Sequence, residues 1–295
     1  MYHQPVMLNE SIEGLAIEAQ GIYADLTFGG GGHSRAILEK LGDRGRLVAF
    51  DQDEDALENA IPDERFLLIN QNFRYFRNFL RMHKLLPVDG ILADLGISSH
   101  QIDTPERGFA TRFDGPLDLR MDRNASFTAA QLVNTYSDEK LREVFTSYGE
   151  IDNARQLVSA IIQSRPLHTV MELRSAIAPC VPRKTENKYL AMVFQAMRIE
   201  VNDEIAVLQV MLRQSAESLK PGGRLVVLAY HSLEDRLVKN FMRSGNFEGI
   251  LQKDFFGNIQ APFTPLTRKP IVPSVAELEI NPRSRSAKLR IAIKN

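Results

Sequence analysis

The residues most suited to chemistry come early, in Asp25-Leu26-Thr27-Phe28-Gly29-Gly30-Gly31-Gly32-His33-Ser34. Glycines let the backbone approach a ligand closely and take positive φ, and a helix starting behind them adds unpaired N–H donors. Asp51 follows 22 residues after Gly29. At the tip of the next strand a carboxylate can take both hydroxyls of a ribose. Loop and tip acid together point to a nucleoside ligand, and two classes share the geometry. A dinucleotide fold asks for Gly-x-Gly-x-x-Gly, and Ser34 breaks the third glycine. S-adenosylmethionine sites carry an acid four residues before Gly-x-Gly, as Asp25 precedes Gly29 and Gly31. That ligand has an ammonium to hold and no pyrophosphate. Thr27 replaces a glycine often found there. Phe73 is placed either against an adenine ring or in the core.

A second constellation ends later strands. Asp94, in Ala93-Asp94-Leu95-Gly96, closes an apolar run and points at a ligand lying at the carboxyl ends of the strands. Across the cleft stands Tyr230-His231-Ser232-Leu233-Glu234-Asp235. Ser232 reads as a helix N-cap, with Glu234 and Asp235 complementing the helix dipole. His231 reads either as a cap or as a ring overlooking the cleft.

These residues need a scaffold, and the apolar pattern supplies one. Strands are predicted over 22–28, 47–50, 66–69 and 88–95, separated by helices over 33–41, 54–60 and 75–82. Nearly unbroken apolar strands suit a parallel sheet covered on both faces. No strand pattern appears over about 98–183, only turns and helical patches at 128–133, 138–148 and 153–163. One long helix is expected over 187–219, ended by Lys220-Pro221-Gly222-Gly223. A fifth strand over 225–229, a helix over 233–242 and a last strand over 289–293 follow, the last paired with 277–280. The reading is a doubly wound, mostly parallel α/β sheet of Rossmann-like type, interrupted after its fourth strand. Domain bounds are placed at 1–105 with 197–295 for the ligand-binding unit, and 106–196 for the helical insert.

Composition narrows the function. The chain has 295 residues, 44% of them hydrophobic and 25% charged, which excludes a disordered or fibrous protein. No stretch approaches the ~18 apolar residues needed to cross a bilayer, and the start lacks a signal-peptide pattern. A lone cysteine, Cys180, allows neither an internal disulfide nor a cysteine zinc site; a cytoplasmic protein without membrane or metal partners is expected, with a homodimer compatible. A net charge of −1 argues against binding nucleic acid by bulk electrostatics. The average hides a gradient, because seven basic residues stand against two acids over 262–295.

Seven segments then carry a resemblance. They are Asp25–Ser34, Asp94–Ser99, Arg107-Gly108-Phe109, Asp114–Met121, Phe194–Ile199, His231–Arg236 and Asn281–Ser286. Together they resemble the MraW (RsmH) family of bacterial ribosomal RNA cytosine N4-methyltransferases, from His3 nearly to the end. The resemblance implies a class I methyltransferase fold and S-adenosylmethionine contacts at Gly31, Gly32, His33, Asp51, Phe73, Asp94 and Gln101. It also implies the substrate: one cytidine in the decoding region of 16S ribosomal RNA within the small subunit. The segment Lys184–Ala191 departs from the Ala-Thr-Arg-like run expected there.

The chemistry sets further demands. Cytosine N4 is a poor nucleophile and too weak an acid to be deprotonated beforehand. Catalysis requires alignment with the sulfonium methyl and an acceptor that meets positive charge as it develops on N4. Asp94, or a backbone carbonyl beside it, suits that role, with Asp94 or His231 receiving the proton. Arg107, Phe109, Arg120, Tyr230, Arg283 and Arg285 are the candidates for RNA contact, with Phe109 equally suited to the core of the insert and each arginine alone to a surface or ion-paired role. A nicotinamide oxidoreductase and a non-catalytic RNA-binding module are the competing readings.

Overall fold

The computed structural model describes residues 5–295. In chain order come α1 (Leu8–Leu15), β1 (Ile22–Asp25), α2 (Gly32–Lys40), β2 (Arg46–Asp51), β3 (Phe66–Asn70), α3 (Phe76–Met82) and β4 (Val88–Asp94). Six helices follow: α4 (Ser99–Asp103), α5 (Ala129–Thr135), α6 (Asp138–Ser147), α7 (Ala154–Gln163), α8 (Val170–Ile177) and α9 (Glu186–Asn202). The chain closes with α10 (Glu204–Ser218), β5 (Leu219–Ala229), α11 (Ser232–Ser244), β6 (Phe263–Pro265), α12 (Val275–Ile280) and β7 (Lys288–Lys294). Two compact units result, one running to Gly96 and resuming over Ile205–Asn295, the other spanning Ile97–Glu204.

The first unit is a seven-stranded sheet in the order β3-β2-β1-β4-β5-β7-β6. β1 to β5 are parallel, and β7 is antiparallel to both β5 and β6. Ile91, Leu92 and Ala93 on β4, and Leu225 to Leu228 on β5, are fully buried. Burial on both faces explains why these strands read as unbroken apolar runs, and each such Leu or Ile contributes ~1.5–3 kcal/mol. The first strand is shorter than the expected 22–28, because after Asp25 the chain turns across the strand ends.

The pairing of the last strand with 277–280 is corrected. Both edges of β7 are taken, by β5 and β6. The Glu-Leu-Glu-Ile stretch forms α12 instead, capped by the Ser274 hydroxyl accepting from the Glu277 N–H at 3.1 Å. The Glu277 carboxylate then accepts from the Met7 N–H at 2.7 Å.

The second unit is helical. Leu132, Val133, Leu141, Phe145, Leu157, Val158, Ile161, Val170 and Leu173 pack with Val193 and Met197 of α9 in one closed core. Capping boxes start α5 (Thr128 with Gln131) and α8 (Thr169 with Glu172). The unit exceeds the expected 106–196 at both ends. It opens with α4, whose cap is Ser98, and it closes past α9. The single helix expected over 187–219 is two, separated by Asp203 at φ 53°. Asn202 makes the break: its side chain accepts from the Met121 N–H at 2.7 Å and donates to the Leu119 carbonyl at 2.8 Å.

Candidate functional site

The glycine turn is held from beneath by a carboxylate. Asp25 is 1% exposed, and its oxygens accept from the Thr27 N–H at 3.1 Å and the Ser34 hydroxyl at 2.7 Å. The residue that breaks a dinucleotide fingerprint is thus the one that fastens the helix start to β1. Asp25 acts as a staple beneath the turn. Gly31, at φ 74°, caps α2, and a Cβ there would lie 2.8 Å from the Phe28 ring. Beside it, a Cβ on Gly32 would meet the Pro5 ring at 2.1 Å.

Asp51 ends β2 and faces the same turn. Its Oδ2 accepts from the Gly29 N–H at 2.7 Å and its Oδ1 from the Asp53 N–H at 2.9 Å. Each oxygen keeps a lone pair for a further donor. Burial pushes its pKa up to about 6, against those two N–H groups, which favour the charged form. Asn70 ties the neighbouring strand tip by donating to the Asp51 carbonyl at 3.0 Å. Phe73 follows in a short 3₁₀ turn, half-buried against the sheet core.

Asp94 ends β4 and is gripped twice. Its N–H donates to the Thr27 hydroxyl at 2.6 Å, which gives the threonine a purpose a glycine could not serve. Its Oδ1 accepts the Tyr230 hydroxyl at 2.6 Å. The remaining Oδ2 lies 3.9 Å from His33 Nδ1. His33 Nε2 is 3.1 Å from the Val6 carbonyl, which can only accept, so Nε2 carries the proton. Burial pushes Asp94 to about 6, opposed by His33 and by the Tyr230 hydrogen bond. Burial also raises Asp25 and pushes Tyr230 well above its usual value. Gly96 makes room for this pair: at φ 102°, a Cβ there would press the Tyr230 ring at 3.3 Å.

The carboxyl ends of β1, β2 and β4 thus hold three crowded carboxylates, all raised by desolvation. Among the described residues, the basic side chain that bears on both Asp25 and Asp94 is His33. A cationic ligand would relieve that arrangement, and the pyrophosphate of a dinucleotide would aggravate it.

Strand β5 leads to a different outcome from the one expected. His231, not Ser232, is the N-cap of α11. Its Nδ1 accepts from the Glu234 N–H at 3.4 Å and its Nε2 sits 3.1 Å from Glu234 Oε1. Glu234 Oε2 in turn accepts the Tyr230 N–H at 2.8 Å. His231 Nε2 is buried, with no hydrogen-bond partner among the described residues. Asp235 reaches across to β7, accepting from Arg290 at 2.6 Å and Lys288 at 3.3 Å.

Several candidates for RNA contact are spent on structure. Arg107 is 3% exposed and donates to the carbonyls of Arg120 and Met121 at 3.1 and 3.0 Å. Arg120 clasps Asp118 through two 2.7 Å contacts and donates to the Arg123 and Ala125 carbonyls. Phe109 is buried in the helical core. Those three expectations are corrected by burial and pairing. Gln101 is buried in the helical unit and closes the capping box of Ser98. Arg283 and Arg285 remain exposed on the 3₁₀ turn Pro282–Ser286, while Lys288 and Arg290 are drawn to Asp235. Sequence reasoning missed three contacts that only the folded chain makes: the Thr27 hydroxyl on the Asp94 N–H, the Ser34 hydroxyl on Asp25 and the Tyr230 hydroxyl on Asp94.

Comparison with known proteins agrees along the whole length. The model of the MraW methylase family matches residues 1–295. Ribosomal RNA small subunit methyltransferase H of Bacteroides thetaiotaomicron is 56% identical over 296 residues, covering 99% of this chain and 97% of that one. The protein of the same name from Flavobacterium johnsoniae is 55% identical, with 99% and 98% covered. Among solved structures, a rRNA methylase from Streptococcus thermophilus is 13% identical at a TM-score of 0.44, covering 100% of this chain and 98% of that one. A methyltransferase from Streptococcus mutans in complex with SAH is 14% identical at 0.45, with 100% of each covered.

Proposed function

The chain belongs to the MraW methylase family, and from that premise we propose that it methylates N4 of one cytidine in the decoding region of small-subunit ribosomal RNA. The donor is S-adenosylmethionine, which when bound supplies a sulfonium methyl as the electrophile. The observation that carries the reading is the cluster of Asp25, Asp51 and Asp94, raised by burial and short of cations, around a turn with glycine φ of 49° and 74°. Such a cluster favours a positively charged nucleoside over a dinucleotide.

Each residue then has a task. Asp51 offers its two spare lone pairs to ribose hydroxyls, and Gly31 brings backbone close to the ligand. Phe73 offers a ring face to adenine. Asp94 Oδ1 is held by Tyr230, which leaves Oδ2 to accept the N4–H of cytosine and meet its growing positive charge. After transfer the N4 ammonium is strongly acidic, and Asp94 takes its proton. Arg283 and Arg285, exposed in the basic tail, are the guanidinium groups proposed for phosphate contact.

Titration calorimetry tests the donor: S-adenosylmethionine binds and NAD does not. Methyl transfer to small subunits from a strain lacking the enzyme tests the substrate, with the product nucleoside identified by mass. Assembled subunits are expected to react faster than naked transcript, because a net charge of −1 gives weak non-specific RNA affinity. Equal rates on both would break that expectation.

A further inference from the structure

The sheet unit carries an aromatic feature that the methyl-transfer site does not use. Between α11 and β6 the chain makes a hairpin whose strands meet at the Lys253–Ile259 bridge and at the Gln260 N–H to Gln252 carbonyl bond of 2.8 Å. Asp254 builds its turn. Its carboxylate accepts from the N–H groups of Phe256 at 2.9 Å and Asn258 at 2.8 Å, and from the Asn258 side chain at 3.0 Å. The Asp254 backbone closes two more bonds, with Asn258 and Gly257. On this rigid turn sit Phe255 and Phe256, 98% and 85% exposed, with rings 5.7 Å apart and nearly perpendicular. Displaying two phenylalanines to water on an ordered turn has a cost that folding does not recover.

We propose that this tip is a docking point for single-stranded RNA of the small subunit, with unstacked bases lying on the Phe255 and Phe256 faces. The inference rests on the ribosomal RNA substrate proposed above. Charge favours this occupant. Lys253 stands exposed beside the rings, Arg243 ties the hairpin base by donating to the Gly249 carbonyl at 2.9 Å, and Arg213 lies 4.8 Å over Phe247. Over 243–295 nine lysines and arginines stand against four carboxylates. Gln252 and Gln260 flank the rings with exposed amides that can bond base edges. Aromatic faces interleaved with cations and amides are how single strands are held without strict sequence preference.

The location adds a consequence. Phe263, just past the hairpin, pairs with Lys294, while Ala229 pairs with Lys288. The hairpin therefore stands at the end of the sheet opposite Asp94, so it grips a stretch of RNA remote from the target base.

The chain contains no tryptophan, so Phe255→Trp places a single indole at the tip. Its fluorescence should be quenched by a single-stranded cytidine-rich RNA oligonucleotide, and less so as salt rises. The double variant Phe255→Ala/Phe256→Ala, with both side chains in solvent, should keep its fold and its affinity for S-adenosylmethionine. Its KM for small subunits should rise about tenfold or more with kcat unchanged. An unmoved KM overturns the proposal. So does a change from self-associated to monomeric sedimentation in the double variant, since the occupant would then be a second copy. Wild-type protein that methylates no subunit would instead defeat the parent reading, and a quench by the oligonucleotide would still report the tip's own affinity.

Discussion

The two units spend their charged groups in opposite ways. In the sheet unit, Asp25, Asp51 and Asp94 gather at strand ends with His33 as the nearby basic ring, and burial lifts all three. In the helical unit, Arg107, Arg120, Arg165 and Arg198 are each met by carbonyls or a carboxylate. The first arrangement stores electrostatic need for a ligand; the second fixes loops and leaves little to offer one. Burial of a charged side chain therefore marks function only when its compensation is incomplete.

Exchanging residues on either side sharpens this contrast. The largest effect is expected for Asp94→Ala: methyl transfer in single turnovers should fall by ~10³-fold with the protein still folded, since acceptor groups contribute ~10²–10⁴. Wild-type turnover would remove Asp94 from the chemistry. Next, Arg107→Ala should cost about 2–4 kcal/mol in urea unfolding, because two buried carbonyls lose their donor. Arg285→Ala, exposed, should stay within about 0.5 kcal/mol of wild type and weaken subunit binding instead. If the two arginines behaved alike, the contrast between the units would fail.

A pH profile tests the sheet side. Only ionised Asp94 can accept a proton, and its pKa is pushed up to about 6. The rate kcat/KM should therefore fall as pH drops through about 6, approaching tenfold per unit below it. In kcat the limb should lie lower, because a bound cation favours the ionised carboxylate. The smallest effect is expected for Tyr230→Phe. Loss of its hydrogen bond removes an influence that lowers the Asp94 pKa, so the acid limb should move upward with modest change in kcat at pH 8. An unmoved limb would mean that the 2.6 Å contact does not tune Asp94.

Much of this site was legible from sequence, for a physical reason. Asp51 and Asp94 end apolar runs, and a carboxylate at the end of a parallel strand stands where ligands collect. The glycine turn was readable because few other residues take its φ values. The helical unit announced itself through 3.6-residue periodicity, but its limits did not. Ser98 and Asp203 mark helix ends without a nearby glycine or proline at the break between α9 and α10, and the kink depends on Asn202 bonding to Leu119 and Met121 far away in sequence. The shift of the α11 cap from Ser232 to His231 is of the same kind. A histidine ring caps poorly in general, and here Nδ1 takes the Glu234 N–H while Nε2 lies beside the Glu234 carboxylate without a hydrogen bond. Arg107 and Arg120 looked like RNA ligands because pairing with backbone carbonyls leaves no trace in a sequence.

The interruption after β4 also bears on how the protein is made. Ile91 and Leu92 bond to Leu225 and Val226 of β5, well over a hundred residues farther along. At roughly 5–20 residues per second of synthesis, the open side of β4 waits on the order of ten seconds for its neighbour. For that interval a largely apolar strand has an unpaired edge on the ribosome, a template for wrong partners. Nascent chains halted just before β5 should therefore hold chaperones longer than chains released after it.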